Sequence, residues 1–270
     1  MTGIHPSAIV EPGVKLESGV EIGPYCVVGS RARLEAGVRL ISHVVVSGET
    51  EIGAGTVVHP HAVLGGPAQF RAEDGSSGAL RVGAGNVIRE HVTMNRGTRK
   101  GGGITEVGDN GYFMAYSHVA HDCHVGNGVT FANGVALAGH VTVGDGVNIG
   151  GLAAVLQHVR IGRDSLVGGA TGVPADVIPY GLVQGSRARL EGLNLIGLKR
   201  KGIPRERIHA LRSAFRFMFF GEGRLLDRVR TAGERWANSA EVREVVEFIL
   251  AESKRPICVP APGGRVPDDG

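Results

Sequence analysis

The chain has 270 residues, enough to bury a large core in one long unit and a smaller one. Its formal net charge of +3 is only mildly basic, and no dense Lys/Arg run occurs in the first 190 residues, which argues against a nucleic-acid surface. Its 44 glycines without a collagen-like triplet point to many tight turns, and no stretch approaches the ~18 apolar residues that span a bilayer.

The opening segment, MTGIHPSAIVEPG, contains no apolar signal core. Cys26, Cys123 and Cys258 lie far apart, with neither pairing nor metal-ligand spacing. A cytoplasmic protein with reduced thiols is the expectation. From the start, an aliphatic residue recurs every six positions: Ile4, Val10, Leu16, Ile22, Val28, Leu34, Leu40, Val46, Ile52, Val58 and Leu64. A polar, glycine-rich stretch, GGPAQFRAEDGSSGALR, then separates Leu64 from Val82, and NRGTRKGGGITE separates Met94 from Val107 with a one-residue shift of phase. Both read as loops extruded from corners of a repeat, where binding residues often sit. A second run holds one phase from Val107 through Phe113, Val119, Val125, Phe131, Leu137, Val143, Ile149, Val155, Ile161 and Val167 to Val173.

Hexapeptide periodicity of this kind predicts a parallel β-helix. Each hexad makes one flat face, three faces complete a coil, and residues eighteen apart stack roughly 4.8 Å from one another. The repeat stops after Tyr180 and helical signals begin. Pro204 opens a helix with a stripe of Ile208, Leu211, Phe215 and Met218 or Phe219, ended by the GEG at 221–223. A second helix is expected over LLDRVRTAGERW and a third from Asn238, with Glu241 as its capping-box partner. The resulting division is a β-helix over 1–186, a helical cap over 187–255 and a loose Pro/Gly-rich tail over 256–270.

The eighteen-residue rule places His121, Gly139 and Gln157 in one column and Asp122, His140 and His158 in the next. It brings His118, His121, Asp122 and His124 close to His140 on the following coil. A histidine held by a carboxylate can act as a general base near neutral pH. Transfer of an acyl group from a thioester needs such a base and a donor aimed at the developing oxyanion. The Gly139 N–H, one coil from His121, can fill that second role, because glycine permits close approach of a carbonyl. Sequence adjacency sends the Asp122 side chain away from His121 unless a corner of the coil intervenes. A zinc-dependent hydratase is the metal alternative; it requires three imidazoles converging from adjacent faces. His43 and His61, also eighteen apart, read as structural.

The motifs SHVAHDCHVGN, FANGVALAGHV and GLNLIGLKRKG together resemble the UDP-N-acetylglucosamine acyltransferases that begin lipid A biosynthesis, over essentially the whole chain. The resemblance implies a left-handed parallel β-helix and a cytoplasmic homotrimer with active sites between adjacent subunits. It implies transfer of a 3-hydroxyacyl chain from acyl carrier protein to the 3-position of the nucleotide sugar, with no cofactor and no metal. It makes His121 the general base, Asp122 its supporting carboxylate and Gly139 the oxyanion donor. His118 and His140 would contact sugar or acyl donor, Gln157 the sugar, and Gln69 the region of the phosphates. Asn194 and Arg200 would hold the nucleotide or its diphosphate, and Gly169 would leave room for a longer acyl chain. Departures from the family pattern cluster around the acceptor: Gln69 is followed by Phe70, Arg71 and Ala72, Leu156 and His158 flank Gln157, Ile196 replaces a common glutamate, and Lys201 stands where arginine is frequent. They raise two alternatives, a paralogue with another nucleotide-sugar acceptor and a non-catalytic trimeric scaffold.

Overall fold

The computed structural model describes residues 3–69 and 78–261. Phe70, Arg71 and Ala72 lie outside the described residues. The chain winds into a left-handed parallel β-helix whose three faces are sheets of eleven, nine and eight short strands, all paired in parallel except the last strand of the eleven. Register follows the repeat: Ile9 pairs with Val27, Val27 with Val45, His118 with Ala136 and Ala136 with Ala154. The predicted aliphatic column fills the interior, with Ile22, Val28, Leu34, Leu40, Phe113, Phe131, Leu137 and Ile149 almost wholly buried. Removing that apolar surface from water on every face is the main stabilising term. In the first coil described, Ile4 is 46% exposed and Val10 and Leu16 are half-buried.

A second buried column, two residues before the first, also repeats every six positions. It carries Val20, Cys26, Ala32, Val38, Val44, Thr50 and Thr56, and later Ser117, Cys123, Val129, Val135 and Val141. These side chains line the inside of the corners, where only small or β-branched groups fit between adjacent faces. This column accounts for Cys26 and Cys123. Burial pushes the Cys123 thiol up to about 12, so it is a packing group and not a nucleophile.

At each corner one residue adopts the left-handed conformation, often a glycine but frequently not. Tyr25, His43, His61, His91 and Tyr116 occupy the first corner at φ 57°, 53°, 65°, 60° and 64°. Their rings stack into a ladder with centroids 4.8–5.0 Å apart, which places His43 and His61 in a continuous ring column. Asp122, His140 and His158 occupy the second corner, at φ 59°, 62° and 64°.

Both interruptions of the repeat fall between a strand of the nine-stranded face and a strand of the eight-stranded face, at that second corner. Ile52 pairs with Val82 and Val82 with Val107, instead of partners eighteen positions away. The outward side chains of the eight-stranded face are charged and cross-paired, as in Arg33 with Glu17 and Glu51. Those of the nine-stranded face carry no formal charge pairs: Ile9, Val27, Val45 and Val63, then Thr93 hydrogen-bonded to His118, and the small Ala136, Ala154 and Gly172.

The last coil is closed by an antiparallel hairpin of Gly181–Gln184 with Arg189–Leu193, so the boundary expected after residue 186 falls inside a hairpin. Four helices follow: α1 Leu195–Arg200, α2 Arg205–Phe220, α3 Leu225–Arg235 and α4 Ala240–Leu250. The predicted stripe of α2 is buried, with Met218 rather than Phe219 completing it. The N-cap of α4 is Ser239, whose hydroxyl accepts from Val242 N, and not Asn238. Glu241 turns instead to Arg207, forming an ion pair in place of the expected capping box. The tail expected from residue 256 begins as a hydrogen-bonded segment: Asp176 N donates to Pro256 O and Cys258 N to Asp176 O. Among the described residues no helix is long and apolar enough to cross a membrane.

Candidate active site

The second corner gathers most of the predicted site residues. Asp122 adopts φ 59° immediately after His121, and this turn brings the two adjacent side chains onto the same side. His121 Nδ1 lies 2.7 Å from Asp122 Oδ2, and both residues are buried. The corner therefore resolves the conflict posed by sequence adjacency.

A buried carboxylate is costly unless its oxygens find donors. Here the loop extruded one coil earlier supplies them. Thr98 N donates to Oδ1 at 2.8 Å and Thr98 Oγ1 to Oδ2 at 2.7 Å. Gly101 packs so closely over Asp122 that a Cβ there would lie 2.2 Å from Oδ2. Thr105 Oγ1 accepts from the Asp122 N–H at 2.8 Å, which braces the turn itself. Sequence reasoning missed Thr98, Gly101 and Thr105. The available signal was the break in the repeat one coil above His121, at the same corner.

Gly139 sits one coil below, with His140 N bonded to His121 O at 3.0 Å. A Cβ on Gly139 would lie 2.5 Å from His121 Cε1 and 2.7 Å from Nε2, so the imidazole edge rests directly on the glycine. Among the described residues the Gly139 N–H donates to nothing, while its carbonyl accepts from His158 N. A cleft of about 580 Å³ opens beside this pair, lined by Gln69, His118, His121, Gly139, Gln157 and Arg255 among others. Ala136 and Ala154, outward residues of the nine-stranded face, form its shallow floor.

The surrounding imidazoles are held neutral. His118 Nδ1 is hydrogen-bonded to Thr93 Oγ1 at 2.7 Å, and burial lowers its pKa, helped by the nearby His121. His140 stands edge-on to His121 with centroids 5.2 Å apart, its Nε2 3.9 Å from Asp122 Oδ2. His158 stacks beneath His140 at 4.5 Å. Burial lowers the pKa of both, so each is a neutral hydrogen-bonding group at pH 7. His124 does not join the cluster. Its side chain leaves the eight-stranded face and pairs with Glu106 at 3.1 Å.

His121, Asp122 and His140 bring potential metal-donor atoms within 4.8 Å of one another. Three imidazoles do not converge, however, since His118 is committed to Thr93 and His158 lies on the far side of His140. Both Asp122 oxygens already accept hydrogen bonds from Thr98. This donor set suits a hydrogen-bonded acid–base pair better than a zinc cage.

Three predicted residues lie elsewhere in the subunit. Asn194 caps α1: its Oδ1 accepts from Gly197 N at 3.0 Å and its Nδ2 donates to Asp164 O at 2.9 Å, so its side chain fixes the helix. Arg200 is exposed in the last turn of α1, beside Lys201, which is paired with Asp164. Gly169 is on the first corner, where among the described residues a Cβ would meet only the backbone of Gly151, its O at 3.4 Å and its N at 3.9 Å. Of the acceptor-side substitutions, Leu156 lines the cleft at 43% exposed and Ile196 projects from α1 at 65% exposed.

Comparison with known proteins converges on one family. Residues 176–258 match the family model described as UDP-N-acetylglucosamine O-acyltransferase, domain 2. The acyl-[acyl-carrier-protein]–UDP-N-acetylglucosamine O-acyltransferase of Bartonella tribocorum is 47% identical over 97% of this chain and 97% of its own length. Its counterpart from Caulobacter vibrioides is 54% identical over 72% of this chain and 74% of its own. A crystal structure of a UDP-N-acetylglucosamine acyltransferase superposes with a TM-score of 0.92 at 38% identity, covering 96% of this chain and 99% of that one.

Proposed function

Because the chain belongs to the UDP-N-acetylglucosamine O-acyltransferase family, we propose that it moves a 3-hydroxyacyl chain from acyl carrier protein to the 3-position of UDP-N-acetylglucosamine. The observation that carries this reading is the His121–Asp122 pair closed against Gly139 at the mouth of a cleft. His121 takes the proton of the sugar hydroxyl as the oxygen attacks the thioester carbonyl. Asp122 holds the imidazole with Nδ1 protonated, leaving Nε2 as the basic nitrogen. The Gly139 N–H meets the oxyanion of the tetrahedral intermediate. Collapse breaks the carbon–sulfur bond, and the proton on His121 passes to the departing thiolate. His118, His140, Gln157 and Gln69 border the sugar and the donor. The Ala136–Ala154 floor lets an alkyl chain cross the nine-stranded face toward Gly169, which itself adds no side chain to the path. The reaction is assigned to the cytoplasm, as the first step of lipid A biosynthesis.

Purified protein supplied with 3-hydroxyacyl carrier protein and UDP-N-acetylglucosamine is expected to yield the 3-O-acyl product. A 3-amino analogue of the sugar is the second acceptor to be offered, because Leu156 alters the cleft wall. Turnover of that analogue alone would transfer the assignment to it, and binding without turnover of any nucleotide sugar would leave a scaffold.

The active unit is a homotrimer with shared sites. Two features support this: the uncharged outward row Ile9, Val27, Val45 and Val63, and the position of Asn194 and Arg200 on α1, outside the residues that line the His121 cleft in one subunit. Co-assembly of His121→Ala subunits with Arg200→Ala subunits is therefore expected to restore intact sites at about a quarter of interfaces by random assortment. Mixed assemblies no more active than the two parents would place His121 and Arg200 in the same subunit's site.

A further inference from the structure

The segment after α4 returns to the prism at the corner that carries the cleft, and Asp176 organises the return. Its carboxylate is wholly buried and accepts from Arg160 N at 2.8 Å, Arg160 Nε at 2.7 Å and Ser253 Oγ at 2.7 Å. Its backbone N–H and carbonyl pair with Pro256 and Cys258. Arg160 also reaches Phe248 O at 3.1 Å and lies 4.4 Å above the Phe248 ring. Further along, Leu190 N donates to Val259 O at 3.2 Å. Residues 253–259 are thus a strap stapled across the last coils.

Between these anchors stands Arg255. Its Nε donates to the Gln157 carbonyl at 2.8 Å, and its side chain lines the cleft that contains His121 and Gly139. Among the described residues its other guanidinium N–H groups meet no acceptor and no carboxylate. Arg160, at the strap's other anchor, is treated differently: it pairs with Asp176. Lys254 adds a second cation that, among the described residues, has no carboxylate partner. Together they bear on His158 strongly enough to help keep it neutral. An oriented, uncompensated guanidinium in a substrate cleft fits a phosphate, whose oxygens match its planar fork.

We propose that Arg255, reinforced by Lys254, forms a phosphate-binding subsite of the cleft that engages a phosphate of one of the two substrates. This rests on the acyl-transfer reading above. The anion has two sources, the diphosphate of the nucleotide sugar and the phosphodiester of the donor's pantetheine arm. The strap is then a wall of the active site.

Steady-state kinetics of Arg255→Gln, with calorimetric binding in parallel, test the subsite. The KM for one phosphate-bearing substrate is expected to rise about ten- to hundredfold, the size of a charge-assisted hydrogen bond, with kcat little changed. A higher KM for UDP-N-acetylglucosamine assigns the nucleotide diphosphate. A higher KM for 3-hydroxyacyl-phosphopantetheine, but not for 3-hydroxyacyl-pantetheine, assigns the donor arm. Both KM values within twofold of wild type, or a loss in kcat alone, overturn the subsite. Should the wild type show no turnover, the acyl-transfer reading fails separately. Calorimetry with UDP-N-acetylglucosamine and acyl-phosphopantetheine then decides: binding weakened by Arg255→Gln sustains the subsite, and equal or absent binding removes it. If Arg255→Gln does not fold, Arg255→Lys keeps the charge but not the fork, and an intermediate KM is expected; an unchanged one refutes the role.

Discussion

Replacing His121 by alanine is expected to lower kcat by about 10²–10⁴, the usual contribution of a positioned general base, while the thermal midpoint changes little. The imidazole stands at a corner of the prism, outside the aliphatic columns that hold the coils together. Its removal leaves the Asp122 carboxylate with both bonds from Thr98, so no buried charge is stranded. A companion change separates base strength from mere presence. Asp122→Asn keeps the shape but puts an N–H₂ where Oδ2 accepted from His121 Nδ1. The imidazole must then accept at Nδ1 and carry its proton on Nε2, the wrong tautomer for a base facing the cleft. A drop approaching that of His121→Ala is expected from this single-atom exchange. Retained turnover in His121→Ala, measured by product formation from 3-hydroxyacyl carrier protein, would remove His121 from the base role.

The second large effect is expected at Gly139. An added Cβ would stand 2.5 Å from Cε1 and 2.7 Å from Nε2 of His121, distances that cannot be sustained. The obstacle is contact alone, because Gly139 is not among the left-handed glycines and its backbone accepts alanine. The ring must swing out, and the short bond to Asp122 must lengthen or break. With the base displaced from Asp122 while the Gly139 N–H stays in place, kcat should fall about 10²–10⁴, as when a positioned general base is lost. KM should move much less. A crystal structure of Gly139→Ala should show His121 rotated away from Asp122. Activity within a few-fold of wild type would mean that the imidazole works from a different position.

The catalytic corner shows how a solenoid builds an active site. One coil supplies the base and its carboxylate, the next supplies the amide, and a loop from the preceding coil closes over the carboxylate. No hinge is needed, since parallel ladders on both sides hold the three levels in register. The left-handed residues are part of this design. Asp122, His140 and His158 each accept an uncommon conformation of a kind found at functional sites, and the coil above and below holds them there. The same conformation recurs at the other corners with no chemistry attached, so strain by itself does not locate the site.

What could be read in the chain alone was everything that depends on period. Six-residue spacing of Ile, Leu and Val specified the prism, because only a three-faced coil places such residues inside on every turn. Eighteen-residue arithmetic then brought His121, Gly139 and Gln157 into one column and Asp122, His140 and His158 into the next. The α2 stripe was equally legible, since Ile208, Leu211 and Phe215 follow helical spacing. Contacts that obey no period stayed hidden until the chain was folded. The turn at Asp122 that redirects its side chain, the closure of Thr98 and Gly101 over it, the exclusion of His124 and the return of Arg255 all depend on corner dihedrals or long-range docking. A repeat encodes where residues lie along the prism axis; which way a corner side chain points, and which distant segment covers it, is set by packing between parts of the chain that share no pattern.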